Sequence, residues 1–203
     1  MIYINGTMNS GKTAQAIMLS NQAKSQGKKV KVFKVEPERS NAEPTEVKSR
    51  CGLSCEGTLI GPNYDFAKYM QLNYQDVDML IIDECQFLSV EQIDYLAYLN
   101  TRVILSGLKV DYLGNIFEAI QRLLTYRPME VELFSLCSAP GCTEMATHHL
   151  LKVNGKVVRE GNNKILGDVV GDTIKYSTVC KHHYLFQVTE KSKKGEEEIC
   201  HLD

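Results

Sequence analysis

The eight residues Gly6-Thr7-Met8-Asn9-Ser10-Gly11-Lys12-Thr13 limit what this chain can become more than any other segment. They fit the spacing G-x-x-x-x-G-K-[ST]. Two glycines let the backbone curl tightly, and consecutive N–H groups then point inward around a phosphate. A helix that starts there presents its positive end to the same anion. Lys12 would reach the β- and γ-phosphates, and the Thr13 hydroxyl can ligate Mg²⁺. The context fits, because Met1–Asn5 is short, apolar and β-branched, and Thr13–Gln26 reads as a helix stopped by Gly27. The segment therefore predicts a nucleoside triphosphate site on a strand–loop–helix unit. It says little about a second substrate.

The rest of the first 125 residues alternates strand-like and helix-like stretches. Lys28–Val35 alternates Lys with Val and Phe, as a half-exposed strand would. Glu36–Gly57 has two prolines and many charges and reads as a loop. Asp78–Asp83 reads as a buried strand. Ser89 with Gln92, and Asn115 with Glu118, give capping-box patterns ahead of two helices. Arg102–Leu108 is a further strand. Repeated β–α alternation predicts a mainly parallel sheet with helices on both faces. After Pro128 the character changes. One more strand at Glu130–Leu136 leads into a loop-rich unit with an Asn154-Gly155 hairpin signal. The expected organisation is a nucleotide-binding α/β core over 1–130, a small unit over 131–190 and a charged tail over 191–203.

Two clusters carry further chemistry. Leu80-Ile81-Ile82-Asp83-Glu84 is an apolar strand closing on two carboxylates. Beside a phosphate loop such an Asp holds the Mg²⁺ shell. Glu84 could then act as a base, on water in an ATPase or on a substrate hydroxyl in a kinase. The pair alone does not separate those reactions. The second cluster is Cys137-x4-Cys142 followed by Cys180-Lys181-His182-His183. Three thiolates and one imidazole suit a closed, structural tetrahedral Zn²⁺ site. Spacing alone leaves His182 and His183 both open, with Cys-x2-His favouring His183. Cys51 and Cys55 read as non-ligands and Cys85 as a core thiol.

Composition narrows the classes. Seven cysteines, an odd number without the n-region and h-region of an export signal, point to a reduced, cytoplasmic setting. A formal net charge of −2 argues against a nucleic-acid partner as the default. No apolar run approaches 18 residues, so no membrane span is expected.

Taken in order, these features resemble the cellular-type (type II) thymidine kinase family over about residues 1–187. The phosphate loop is followed by Asp83-Glu84-Cys85-Gln86-Phe87, by Gly107-Leu108-Lys109-Val110-Asp111-Tyr112, by a cysteine pair, and by Gly171-Asp172-Thr173-Ile174-Lys175-Tyr176-Ser177-Thr178-Val179-Cys180. The resemblance implies a RecA-like P-loop core and a small zinc domain with a lasso loop. It implies transfer of the ATP γ-phosphoryl group to the 5′-hydroxyl of thymidine or deoxyuridine. It also implies a homotetramer and feedback inhibition by dTTP. Glu84 would be the general base. Residues Gly6 to Thr13 with Asp83, Glu84, Cys85 and Gln86 would form the nucleotide side. Met8, Phe87, Leu108, Tyr112 and Phe117 match positions around the thymine ring. Val169, Val170 and Gly171 fall in the lasso, and Tyr176 matches a tyrosine near the nucleoside. Cys137, Cys142, Cys180 and His183 match the zinc ligands.

Three positions depart from the family pattern. The usual Asp-x-Arg is Glu36-Pro37-Glu38-Arg39, the residue after Tyr112 is Leu113 where a basic one is common, and the lasso Gly-Gly is Gly171-Asp172. Lys109 is the alternative source of a positive contact near the transferred phosphoryl group.

Overall fold

The computed structural model describes residues 1–39, 41–73, 77–158 and 174–189. The lasso positions Val169, Val170, Gly171 and Asp172, and the tail, lie outside them. The chain forms two units, Met1–Asp111 with Asn115–Ser135, and Tyr112–Gly114 with the residues from Leu136 on.

The first unit is built on the alternation that the apolar runs encode. Its strands are β1 (Ile2–Gly6), β2 (Val30–Val35), β3 (Glu43–Lys48), β4 (Ser54–Ile60), β5 (Met79–Asp83), β6 (Arg102–Gly107) and β7 (Met129–Leu133). They form one sheet in the order β3-β4-β2-β5-β6-β1-β7, parallel throughout except for the antiparallel β3–β4 pair. Successive side chains of a strand face opposite sides, and here the two sides are two cores. Tyr3, Leu80, Ile82, Val103 and Leu105 belong to one, while Ile4, Ile81 and Ile104 belong to the other. Helix α1 (Lys12–Ser25) covers the second core with Ala16, Ile17 and Ala23. Helices α2 (Phe66–Asn73), α3 (Val90–Tyr98) and α4 (Glu118–Thr125) cover the first with Phe66, Met70, Ile93, Leu96, Ile120 and Leu123. A mainly parallel sheet with helices on both faces is the architecture expected of a P-loop core.

Two local expectations divide. The Ser89–Gln92 capping box forms in both directions, Gln92 N to Ser89 Oγ at 3.2 Å and Ser89 N to Gln92 Oε1 at 2.9 Å. The Asn115–Glu118 pattern does not cap α4. Its N-cap is Phe117, and the Asn115 N–H is instead spent on Asp111 Oδ1 at 2.9 Å, closing a turn. The segment read as a loop over Glu36–Gly57 also contains structure, the hairpin β3–β4. Its strand β3 is at the sheet edge, where Pro44 lacks only a hydrogen bond that an edge can forgo. Only Val47 of that strand is buried, so its hydrophobic signal was one residue deep.

Strand β8 (Ser135–Leu136), which starts at the last residue of the first unit, pairs with β9 (Met145–Ala146). Strands β10 (His148–Val153), β11 (Lys156–Val157) and β12 (Ile174–Val179) form an antiparallel sheet, and α5 (Lys181–Thr189) follows. The Asn154-Gly155 turn joins β10 to β11 with both residues at positive φ, 51° and 76°. Two-residue hairpins favour that backbone because its twist matches the strands.

Candidate functional site

The phosphate loop leaves β1 at Gly6 and enters α1 at Lys12. Three of its residues take positive φ, Gly6 at 149°, Asn9 at 64° and Gly11 at 89°. Gly6 has no alternative, since a Cβ there would lie 2.1 Å from the Leu133 carbonyl oxygen of the neighbouring strand. The Lys12 ammonium donates to the Thr7 carbonyl at 2.7 Å, and the buried Thr7 hydroxyl sits 2.7 Å from Ser135 Oγ. Burial pulls the Lys12 pKa below its ordinary value, while the Glu84 and Asp83 carboxylates pull it up.

The carboxylates come from the end of β5. In a parallel α/β sheet, loops at the carboxyl ends of the strands form the site. Strand β6 lies between β1 and β5, and it contributes a residue that sequence reasoning missed. Ser106 Oγ donates to Asp83 Oδ1 at 2.8 Å, and Thr13 Oγ1 donates to Asp83 Oδ2 at 2.8 Å. Asp83 is 2% exposed and Ser106 fully buried. One carboxylate thus ties the first turn of α1 to the sheet. A hydroxyl and a carboxylate in contact are a hard-oxygen pair of the kind Mg²⁺ takes beside phosphates.

Glu84 follows in the left-handed region at φ 58°. That conformation is uncommon for a non-glycine residue and costs about 1–2 kcal/mol. It starts a short 3-10 turn, Cys85–Phe87, in which Gln86 holds the Glu84 carboxylate, Nε2 to Oε2 at 2.7 Å. Gln86 in turn accepts from Leu108 N–H at 3.1 Å through Oε1. Gly107 makes this possible, because a Cβ there would lie 2.4 Å from Gln86 Oε1. Burial and the adjacent Asp83 carboxylate push the Glu84 pKa up, against the Gln86 hydrogen bond and the Lys12 charge. A carboxylate poised this way takes a proton more readily than an exposed one. Burial also pushes the Cys85 thiol well up, which leaves it an inert core group.

The residues assigned to the ring are placed unit by unit. In the first unit Phe87 and Leu108 are half-buried against the first core, and Phe117 belongs to it at 7% exposure. The Phe87 and Phe117 rings meet edge to face at 6.1 Å. Met8 is half-buried on the phosphate loop. In the second unit Tyr112 and Tyr176 meet at 6.4 Å, and Tyr184 Oη donates to the Tyr112 carbonyl at 3.4 Å. Where the family pattern has Asp-x-Arg, Arg39 pairs with Glu36 at 3.3 Å and Glu43 at 2.7 Å. Lys109 pairs with Glu130 at 2.8 Å.

In the second unit Cys137, Cys142, Cys180 and His183 bring their ligand atoms within 4.8 Å of one another. His183 Nδ1 is 3.5 Å from Cys137 Sγ and 3.2 Å from Cys180 Sγ. Bonds of ~2.3 Å to sulfur and ~2.0 Å to nitrogen around a tetrahedral ion would separate S and N by about 3.5 Å. The cluster therefore fits a four-coordinate metal, and His183 is the histidine in it. Cys51 and Cys55 are not part of it.

A model of the thymidine kinase family matches residues 1–184. A thymidine kinase of Streptococcus agalactiae is 34% identical over 188 residues, covering 91% of this chain and 96% of that protein. One of Encephalitozoon cuniculi is 34% identical over 200 residues, covering 96% and 89%. One of Streptomyces avermitilis is 29% identical over 201 residues, covering 95% and 91%. With a match across all but the last 19 residues of 203, the chain belongs to the thymidine kinase family.

Proposed function

We propose that this chain is an ATP-dependent thymidine kinase. The observation that carries the reading is the second carboxylate of the acidic turn. Glu84 stands one residue beyond the Asp83 that bonds the phosphate-loop helix, and burial raises its affinity for a proton. In the reaction a bond forms from the thymidine 5′-oxygen to the γ-phosphorus as the bond to the β–γ bridging oxygen breaks. ADP leaves, and the 5′-hydroxyl proton passes to Glu84. Lys12 and the loop N–H groups hold the triphosphate, so positioning and charge do most of the work. Thr13 and Asp83 would hold Mg²⁺, which when bound neutralises charge on the β- and γ-phosphates.

Met8, Phe87, Leu108, Phe117, Tyr112 and Tyr176 are read as base-binding groups, with Val169, Val170 and Gly171 as the lasso contacts. The strand order supports a RecA-like core. Zn²⁺ is the metal that three thiolates and one imidazole suit, and its role would be structural. A homotetramer, dTTP feedback and a cytoplasmic setting complete the reading; among the described residues no helix is long and apolar enough to cross a membrane. The test is a product assay with labelled ATP, Mg²⁺ and a panel of deoxynucleosides, ATP hydrolysis being followed in parallel. Formation of dTMP in preference to other monophosphates is expected. ATP hydrolysis without a nucleoside monophosphate, or no turnover at all, would overturn the proposal.

A further inference from the structure

The Thr7 peptide is a hub of the phosphate loop. Its carbonyl accepts from the Lys12 ammonium at 2.7 Å and from the Ser10 N–H at 3.3 Å. Both donors are of the kind that such a loop turns toward its anion, a lysine and a backbone N–H. An ammonium on a flexible four-carbon stem takes its place from what it is bonded to. Where the Thr7 carbonyl stands therefore decides where the Lys12 ammonium stands.

Thr7 is the first residue beyond β1. It is held from the neighbouring strand. Strands β1 and β7 pair in parallel with Gly6 opposite Leu133, and the chain that continues past Leu133 brings Ser135 Oγ to 2.7 Å from Thr7 Oγ1. That is the preferred separation of two bonded hydroxyls. Thr7 is 6% exposed and Ser135 half-buried. A buried hydroxyl needs a partner for stability alone, so the pair by itself would be an ordinary packing detail. Two observations make it more than that. Thr7 is β-branched and stiff at χ1, so a fixed Oγ1 also fixes the backbone from which its carbonyl projects. That carbonyl is the one that Lys12 is bonded to.

We propose that Ser135 is a positioning residue for ATP. It anchors Thr7, and through the Thr7 carbonyl it sets the Lys12 ammonium and the Ser10 N–H for the β- and γ-phosphates. The inference rests on the kinase reading above. It gives a residue 123 positions after Lys12 a part in nucleotide binding without any contact of its own to the nucleotide.

The test uses the full chain with Ser135→Ala, Thr7→Val, the two combined, and Thr7→Ser. It measures equilibrium binding of ATP and of ADP, dTMP formation with each substrate varied in turn, and melting without nucleotide. Ser135→Ala and Thr7→Val should each weaken ATP and ADP binding by at least twofold and up to about 12-fold, the range of one net hydrogen bond. The KM for ATP should rise with them, while the thymidine KM stays at the parent value. The combined variant should bind no more weakly than the weaker single one, because both changes remove the same bond. Thr7→Ser keeps the hydroxyl and should lose less than Thr7→Val. Melting should drop by about 1–6 °C in Ser135→Ala, which leaves the protein folded at 25 °C. Lower melting with ATP and ADP binding changed by less than twofold would mark the bond as merely structural and overturn the proposal. So would losses that multiply in the combined variant, or a thymidine KM that rises as much as that for ATP. If the parent forms no dTMP, the kinase reading fails instead, and ADP binding by the same variants alone decides whether Ser135 positions the loop.

Discussion

Ser106→Ala and Ser20→Ala remove the same atom from two buried positions, and the structure gives them opposite outcomes. Ser106 is fully buried at the end of β6, and its hydroxyl donates at 2.8 Å to a carboxylate that is itself 2% exposed. Hydrogen bonds to carboxylates contribute about 1.5–3 kcal/mol, and deleting the donor leaves the acceptor short of a partner where water does not reach. For a chain of 203 residues, at roughly 2–4 °C per kcal/mol, the melting temperature should drop by about 3–12 °C. Ser20 is equally buried in α1, but its Oγ has no hydrogen-bond partner among the described residues. Removing an unpaired buried hydroxyl relieves a desolvation cost, and alanine is the better helix former. Ser20→Ala should melt at the parent temperature or up to about 4 °C above it. Ser106→Ala should also need more Mg²⁺ for half-maximal rate, since Asp83 keeps only the Thr13 anchor. Calorimetry of the three proteins, with a Mg²⁺ titration of the rate, tests both. If the two variants melt within 1 °C of each other, the hydrogen bond to Asp83 is not what holds this end of the sheet.

Other expectations concern the acid, the metal and the loop. Glu84→Gln should keep ATP binding and lose about 10²–10⁴-fold in kcat. A raised pKa means that the base is ionised only above it. The parent kcat/KM should therefore fall with decreasing pH along a limb above the ordinary carboxylate range, and a limb at or below that range would count against Glu84. The same shift favours the protonated folded state. Ionised Glu84 thus lowers stability as pH rises through its folded pKa, and the Gln variant should melt above the parent near pH 8, with the gap closing in acid. Cys180→Ser should lower bound zinc and open the second unit to protease, because a structural metal contributes folding free energy; unchanged zinc content and unchanged cleavage would refute the site. Gly6→Ala should lower melting by more than about 10 °C or prevent folding, since the obstructing Leu133 oxygen is backbone and cannot rotate away. A soluble variant with parental melting would show that β1 and β7 separate easily.

Much of the site is readable in sequence because the chemistry forces rare residue patterns. The loop glycines, Lys12 and Thr13 are contiguous, and Asp83-Glu84 closes an apolar run. The cysteines come in short-spaced groups, and only the fold shows which histidine lies among them, His183. What stayed hidden depends on pairing across the chain. Ser106 is one serine in a buried strand, and nothing local marks it as the partner of a carboxylate 23 residues earlier. The β3–β4 hairpin is likewise a charged stretch in sequence until its two strands pair. The capping motif at Asn115 failed for a similar reason, because a nearer acceptor, Asp111, took its N–H. Binary patterning carries the two cores well, since a parallel strand buried on both faces is apolar at every position. It carries an edge hairpin poorly, since only one residue of β3 needs to be buried.

Strand β6 acts as a spacer. With neighbouring strands about 4.8 Å apart, inserting it sets the ends of β1 and β5 roughly 10 Å from each other. The interval is filled by one hydroxyl and then by no side chain at all, because Gly107 is crowded by Gln86 Oε1 and by Cys85 Sγ at 2.8 Å. Ser106 and Gly107 therefore should tolerate few substitutions in a saturation screen, the first because its hydroxyl holds Asp83 and the second because a Cβ has no room. Descendants of this chain can change the phosphate loop's neighbours or the acidic turn one residue at a time. They can lengthen or fill the end of the spacer only by moving both sides at once. The distance between the two halves of the site is thus the trait that drift can least reach.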